Sequence, residues 1–129
     1  MFAATQSPAL KVFLADDSAP IRGRVAAMLL GAIIVGEGET PQGCIAGILA
    51  TQPDVVVLDV QLDGGQGLEV LRAVRAAQPR IAFVVLSNNS QWAYRKRYLA
   101  AGAAQFLDKS TEFHQLAAAV DAARDTLSH

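Results

Sequence analysis

Five short apolar runs, each followed by a stretch with helical spacing, limit the fold of this chain more than any other feature. The runs are Leu10–Ala15, Ala32–Val35, Val55–Leu58, Ile81–Leu86 and Ala104–Leu107. The central run, Val55–Leu58, is wholly apolar and mostly β-branched, as a strand buried on both faces requires. The intervening stretches carry helix signals. Ser18 and Pro20 supply a cap and a first-turn proline ahead of the stripe Ile21, Val25, Met28 and Leu29. A second helix is expected from about Pro41 to Ala50, with Ile45, Ile48 and Leu49 inward. A third points Leu68, Leu71, Ala73 and Val74 inward, and a fourth runs Trp92–Ala101 until Gly102 stops it as a left-handed cap. Ser110 or Thr111 is expected to cap a last helix reaching about Thr126. Strand–helix alternation with short connections predicts an α/β, doubly wound, five-stranded parallel sheet in the order 2-1-3-4-5.

Length and composition agree. A chain of 129 residues fits one domain, expected over 1–129 with a flexible tail over 1–9 and no output domain. A net charge of −1 gives no global pull toward nucleic acid or an anionic membrane, so neither is expected as a partner. The one cysteine, Cys44, excludes an internal disulfide and a cysteine-based zinc site, and packing in a helix accounts for it. No basic-apolar-small succession marks a signal peptide, and no apolar run nears the roughly 20 residues of a membrane span. A cytoplasmic protein is expected.

In open parallel sheets, functional groups gather at the carboxyl ends of strands. Here those ends read Asp16–Asp17, Asp59, Ser87 and Asp108–Lys109, all at one edge. Each alone has a plain explanation: a helix cap, a loop acid, a turn serine, a surface ion pair. Their joint occurrence outweighs these. Asp16, Asp17 and Asp59 set three negative charges against one positive on Lys109, a balance of −2 that one Mg²⁺ cancels. An all-oxygen donor set suits that hard ion, and neither His114 nor His129 is placed to bind it. A carboxylate beside such a cation and a lysine is suited to attack phosphorus, with Asp59 as the nucleophile.

The segments "VFLADDSAPIR", "PDVVVLDVQLDGGQGLEVL", "FVVLSNNS" and "AAGAAQFLDKS" resemble the receiver domains of two-component response regulators, over Leu10 to Leu127. The likeness is to a single-domain chemotaxis-type regulator. It implies a flavodoxin-like receiver fold, Asp59 as phosphoacceptor, and Mg²⁺ held by Asp17, by Asp59, by Asp16 through water and by the Gln61 backbone carbonyl. Lys109 and Ser87 would contact the phosphoryl group, Ser87 and Phe106 would act as switch residues, and Gln61 and Asn89 would tune phosphoryl lifetime. The implied donor is a sensor histidine kinase or histidine phosphotransfer protein. The implied target binds the face of the fourth helix, fifth strand and fifth helix. Three positions depart from the family pattern. Ser110 stands where relatives carry a proline joined to the lysine by a cis bond; a non-proline cis bond costs ~3 kcal/mol. Asp63 replaces a usual proline, and Phe106 replaces a commoner tyrosine.

Three rival readings are weaker. A haloacid-dehalogenase-type phosphatase needs a second acid two residues after the nucleophile, where this chain has Gln61, so no turnover enzyme is expected beyond self-phosphorylation and slow self-dephosphorylation. A nucleotide or flavin binder is suggested by Gly64, Gly65 and Gly67, yet neither G-x-G-x-x-G nor a Walker lysine is present. A degenerate receiver, acting as a phosphorylation-independent interaction module, remains the alternative. The run Arg95, Lys96, Arg97 cannot share one helical face and is expected to ring a solvated helix or join a partner surface.

Overall fold

The computed structural model describes residues 9–89 and 91–126; the expected tail lies almost wholly outside them, as does His129. In chain order the elements are β1 (Leu10–Ala15), α1 (Ala19–Met28), β2 (Ala32–Gly38), α2 (Pro41–Thr51), β3 (Val55–Asp59), β4 (Gln61–Leu62) and β5 (Gly65–Gln66). There follow α3 (Gly67–Ala77), β6 (Ala82–Ser87), α4 (Trp92–Ala100), β7 (Gln105–Asp108), a 3-10 turn (Phe113–Gln115) and α5 (Leu116–Thr126). The five long strands form one parallel sheet in the order β2-β1-β3-β6-β7, which is the expected 2-1-3-4-5.

Successive strand residues point to opposite faces, and here both faces are dry. Phe13, Val56, Leu58, Phe83, Val85 and Phe106 pack toward α2, α3 and α4. Val12, Leu14, Val55, Val57, Val84 and Leu107 pack toward α1 and α5. This double burial explains why the strands read as continuous apolar runs.

Local chemistry sets the helix starts. Ser18 Oγ accepts from the Ile21 amide at 3.3 Å, and Thr40 Oγ1 accepts from Gly43 at 3.0 Å. Gly102, at φ 110°, ends α4 as expected. Other details differ from the sequence reading. Cys44 and Ile48 are fully buried on α2, whereas Leu49 lies at the edge of that face. On α3, Val70 takes the inward position expected of Ala73, which is exposed. The strand β2 runs on to Gly38, past Val35, because a register shift between Val12 and Phe13 absorbs one residue.

The largest correction concerns the start of α5. Neither Ser110 nor Thr111 caps it. Both instead donate to Asp108 Oδ1: Ser110 N at 2.7 Å, Ser110 Oγ at 2.5 Å and Thr111 N at 3.2 Å. The 3-10 turn then leads into the helix, and exposed His114 sits in that turn rather than in α5. An ionised carboxylate is a stronger acceptor than a hydroxyl for these amides.

The β3–α3 connection is not a slack glycine loop. Gln61–Leu62 pairs antiparallel with Gly65–Gln66 around Asp63–Gly64, where Gly64 takes φ 83°. Gly67 closes it by donating its amide to the Val60 carbonyl at 2.7 Å. A Cβ on Gly67 would collide with the Asp59 carbonyl oxygen and approach Leu58 Cγ within 3.1 Å. Gly67→Ala is therefore expected to cost about 1–3 kcal/mol in urea unfolding, as overpacking does, and to disturb Asp59. An unchanged unfolding midpoint would contradict this packing.

Candidate functional site

Four strands of the parallel sheet end at one edge, and each delivers a polar residue there. After β1 come Asp16 and Asp17; β3 ends in Asp59, β6 in Ser87, and Lys109 follows β7. Lys109 Nζ bridges Asp16 Oδ2 at 3.0 Å and Asp59 Oδ2 at 3.1 Å. Carboxylate oxygens of Asp16, Asp17 and Asp59 all lie within 4.8 Å of one another. Asp16 is buried, Asp59 half-buried and Asp17 exposed.

Asp16 is held on every side. Its amide donates to the Gly38 carbonyl at 3.0 Å, and its Oδ1 accepts from the Ser18 amide at 2.9 Å. Its carbonyl accepts from Arg22 Nη1 at 2.6 Å. The same guanidinium pairs with Glu37 at 2.6 Å and Glu39 at 3.0 Å, so α1 fixes the turn that presents Asp17. The sequence reading gave Arg22 no role. Its position one helical turn past the Ser18 cap was the available signal.

Burial pushes the Asp59 carboxyl above its ordinary value; Lys109 opposes that shift and Asp16 adds to it. Burial acts to lower the Lys109 ammonium, yet Asp59 and Asp16 together raise it above the usual lysine value. Lys109 therefore keeps its charge, and a second cation at the carboxylates would favour an ionised Asp59. The donor set is all oxygen, compact and open through Asp17, which fits a small hard divalent ion.

The remaining expected residues surround this centre. Ser87 is buried, and its Oγ bonds its own loop, donating to the Asn89 carbonyl at 2.8 Å and accepting from the Asn89 amide at 2.9 Å. Asn89 is exposed and spends its Oδ1 on the Gln91 amide at 3.1 Å. The Gln61 side chain is exposed, while its amide donates to Asp59 Oδ1 at 3.3 Å. Phe106 is buried against Tyr98, with ring centroids 5.9 Å apart. No peptide among the described residues is cis, so Lys109–Ser110 is trans.

A cleft of about 430 Å³ lies over Asp59, lined by Asp17, Gln61, Asp63, Ser87 and Tyr94. Tyr94 reaches this cleft from the first turn of α4. A second opening of about 320 Å³, bounded by Arg24, Lys109 and Phe113, reaches Asp16 and Asp59 from the α1 side. Cys44, whose thiol burial pushes up to about 11, lies in the core and takes no part. Among the described residues no helix is long and apolar enough to cross a membrane.

The comparisons agree with this architecture. The family model for the response regulator receiver domain matches residues 12–121. The DNA-binding transcriptional activator DevR/DosR of Mycobacterium tuberculosis is 34% identical over 115 residues, covering 86% of this chain and 52% of that protein. Response regulator GacA of Pseudomonas aeruginosa is 30% identical over 114 residues, covering 86% of this chain and 53% of that protein. The chain thus spans about half the length of these two relatives. The signal receiver domain of NarL from Mycobacterium tuberculosis superimposes with a TM-score of 0.83 at 29% identity, covering 92% of this chain and 98% of that one. The response regulator domain of Thermotoga maritima CheB shares the fold at 21% identity, with a TM-score of 0.81 and 95% and 98% of the two chains covered. With the sheet order, the strand-end carboxylates and these likenesses in agreement, the chain belongs to the response regulator receiver domain family.

Proposed function

We propose that this chain is a phosphorylation-driven switch in which Asp59 accepts a phosphoryl group. The observation that carries the reading is the Lys109 ammonium, set between Asp16 and Asp59 at one edge of the sheet. An Asp59 carboxylate oxygen attacks phosphorus in line, an Oδ–P bond forms, and the bond from phosphorus to the donor's nitrogen or oxygen breaks. Lys109 exchanges its contact with Asp59 for one with a phosphoryl oxygen. Asp17, Asp59 and the Gln61 carbonyl, with Asp16 through water, would hold Mg²⁺, which supplies charge neutralisation and orientation.

Ser87 is poised for a second role. Its two bonds to Asn89 hold the β6–α4 loop, and turning the hydroxyl toward the phosphoryl group moves that loop. Phe106 packs behind it as the switch aromatic. Gln61 and Asn89 flank the cleft where attacking water enters, so they tune the lifetime of the acyl phosphate. With an amide at Gln61 and no carboxylic acid there, the domain turns over slowly and is not a phosphatase. A histidine kinase or phosphotransfer protein in the cytoplasm serves as donor. The target binds the face of α4, β7 and α5, where Trp92 is 72% and Leu99 41% exposed beside exposed Lys96 and Arg97.

Three outcomes test this. Acetyl phosphate with Mg²⁺ should add one phosphoryl group to the wild type and none to Asp59→Asn, read by intact-mass spectrometry; equal labelling of both defeats the assignment. Asp17→Ala should weaken Mg²⁺ binding more than Asp16→Ala in calorimetric titration, because Asp17 is the more open ligand. Unchanged affinity in both variants removes the metal site. Ser87→Ala should still be labelled but lose most of the phosphorylation-induced amide shift changes beyond the site, since a ligand moves an equilibrium only through contacts that differ between states. A full response in that variant disproves the coupling.

A further inference from the structure

The three consecutive cations on α4 do not share one fate. Lys96 and Arg97 are exposed, whereas Arg95 turns inward across β7. Its Nη1 donates to the Phe106 carbonyl at 2.8 Å, and its Nη2 reaches Glu112 Oε1 at 3.2 Å. That same carboxylate oxygen accepts the Asp108 amide at 2.9 Å, and the Glu112 amide donates to the Asp108 carbonyl at 2.8 Å. The Arg95 guanidinium also covers the Phe106 ring at 5.1 Å from its centroid.

The location explains why these bonds form. Among the described residues, β7 is an edge strand of the sheet, paired with β6 alone. Alternate residues of such a strand turn their amides and carbonyls toward the open side. The Phe106 carbonyl and the Asp108 amide, two residues apart, are taken by Arg95 and Glu112. An exposed ion pair alone holds little; both side chains here are 29% exposed. What gives this pair directional force is that each partner also binds the β7 backbone leading to Lys109, Arg95 at Phe106 and Glu112 at Asp108.

We infer that Arg95 and Glu112 are positioning residues for Lys109, and that they carry its displacement to α4. The inference rests on the proposed phosphoryl transfer to Asp59. In relatives with proline after the lysine, a ring restricts this turn. Here Ser110 leaves it unrestricted, and Glu112 and Asp108 restrain it by hydrogen bonds instead. Phe106 has no phenolic hydroxyl, so the polar link between β7 and α4 comes from Arg95. When Lys109 moves to a phosphoryl oxygen, Asp108 moves with it, Glu112 follows through two bonds, and Arg95 transmits the shift to α4.

The test uses Arg95→Ala, Glu112→Ala, their double variant and Glu112→Gln, the last of which retains an acceptor for the Asp108 amide. Labelling by acetyl phosphate at saturating Mg²⁺ should slow about tenfold in each alanine variant, as when a charged hydrogen bond that positions a reacting group is lost. The double variant should be no more than about twofold slower than the slower single one, because the pair acts as a unit. Glu112→Gln should label near the wild-type rate. Calorimetric Mg²⁺ affinity should be unchanged in all four. Beryllofluoride should alter amide exchange over residues 92–100 in the wild type but not in Arg95→Ala, while the change around Asp59 persists in both. Wild-type labelling rates, additive losses, or a retained response over 92–100 in Arg95→Ala would each overturn the inference. So would uniformly lower protection with normal labelling, which marks a stabilising contact alone. A wild type that neither labels nor responds to beryllofluoride instead overturns the phosphoacceptor reading.

Discussion

Three carboxylates within 4.8 Å of one another repel, and the Lys109 ammonium is what lets the strand ends keep them there. Its pairs with Asp16 and Asp59 join side chains that are only 8–12% exposed, across 93 residues of sequence in the case of Asp16. Buried ion pairs rarely add net stability, because desolvation offsets the attraction. Leaving one partner uncompensated is much worse. The cluster is therefore a liability to folding that a purely structural domain would have replaced with apolar side chains. Under the proposed function, the same charges serve the chemistry.

The sheet absorbs that liability. Parallel strands with helices on both faces bury two apolar clusters and leave their carboxyl ends free of packing duty. Asp59 sits one residue beyond Leu58, which is fully buried, so the proposed nucleophile inherits the rigidity of the central strand. The Gly67 amide bond to the Val60 carbonyl and the short β4–β5 ribbon then turn the chain sharply away from the carboxylate. Tyr98, buried on α4, reaches the same Val60 carbonyl at 3.4 Å. One carbonyl next to the site thus touches both α3 and α4.

The strand-end constellation was legible because each member follows an apolar run, and a parallel sheet puts all such ends on one edge. Asp16, Asp17, Asp59, Ser87 and Lys109 meet for that reason alone. Partner choice within the site was not legible. Nothing in the order Asp108, Lys109, Ser110 says that the Asp108 carboxylate will gather the Ser110 and Thr111 amides and leave neither residue to cap α5. The same holds for Arg95, whose neighbours Lys96 and Arg97 have similar chemistry but point elsewhere. A helix face differs from its sequence pattern where a small residue imitates a core residue, as Ala73 does about one turn after Val70. The Asp63–Gly64 turn carried a signal in its Asp-Gly pair, but the following glycines obscured it.

The charge pattern at the mouth divides into paired and unpaired halves. Arg22 engages Glu37 and Glu39, and Lys109 engages Asp16 and Asp59. Among the described residues, neither Asp17 nor Asp63 joins an ion pair of this kind, and both line the cleft over Asp59. The uncancelled negative charge is thus concentrated at the cleft that a phosphoryl donor would enter under the proposed function. Such a field attracts a small cation and repels an anionic donor. Under the proposed chemistry, Asp63 in place of proline raises the cleft's demand for a cation without becoming one of its ligands. Its amide bond to the Glu39 carbonyl at 2.9 Å holds the turn beside the end of β2, so this charge is a fixed feature of the rim. Under the proposed function, a domain built this way makes cation concentration, as well as donor identity, a condition for phosphorylation.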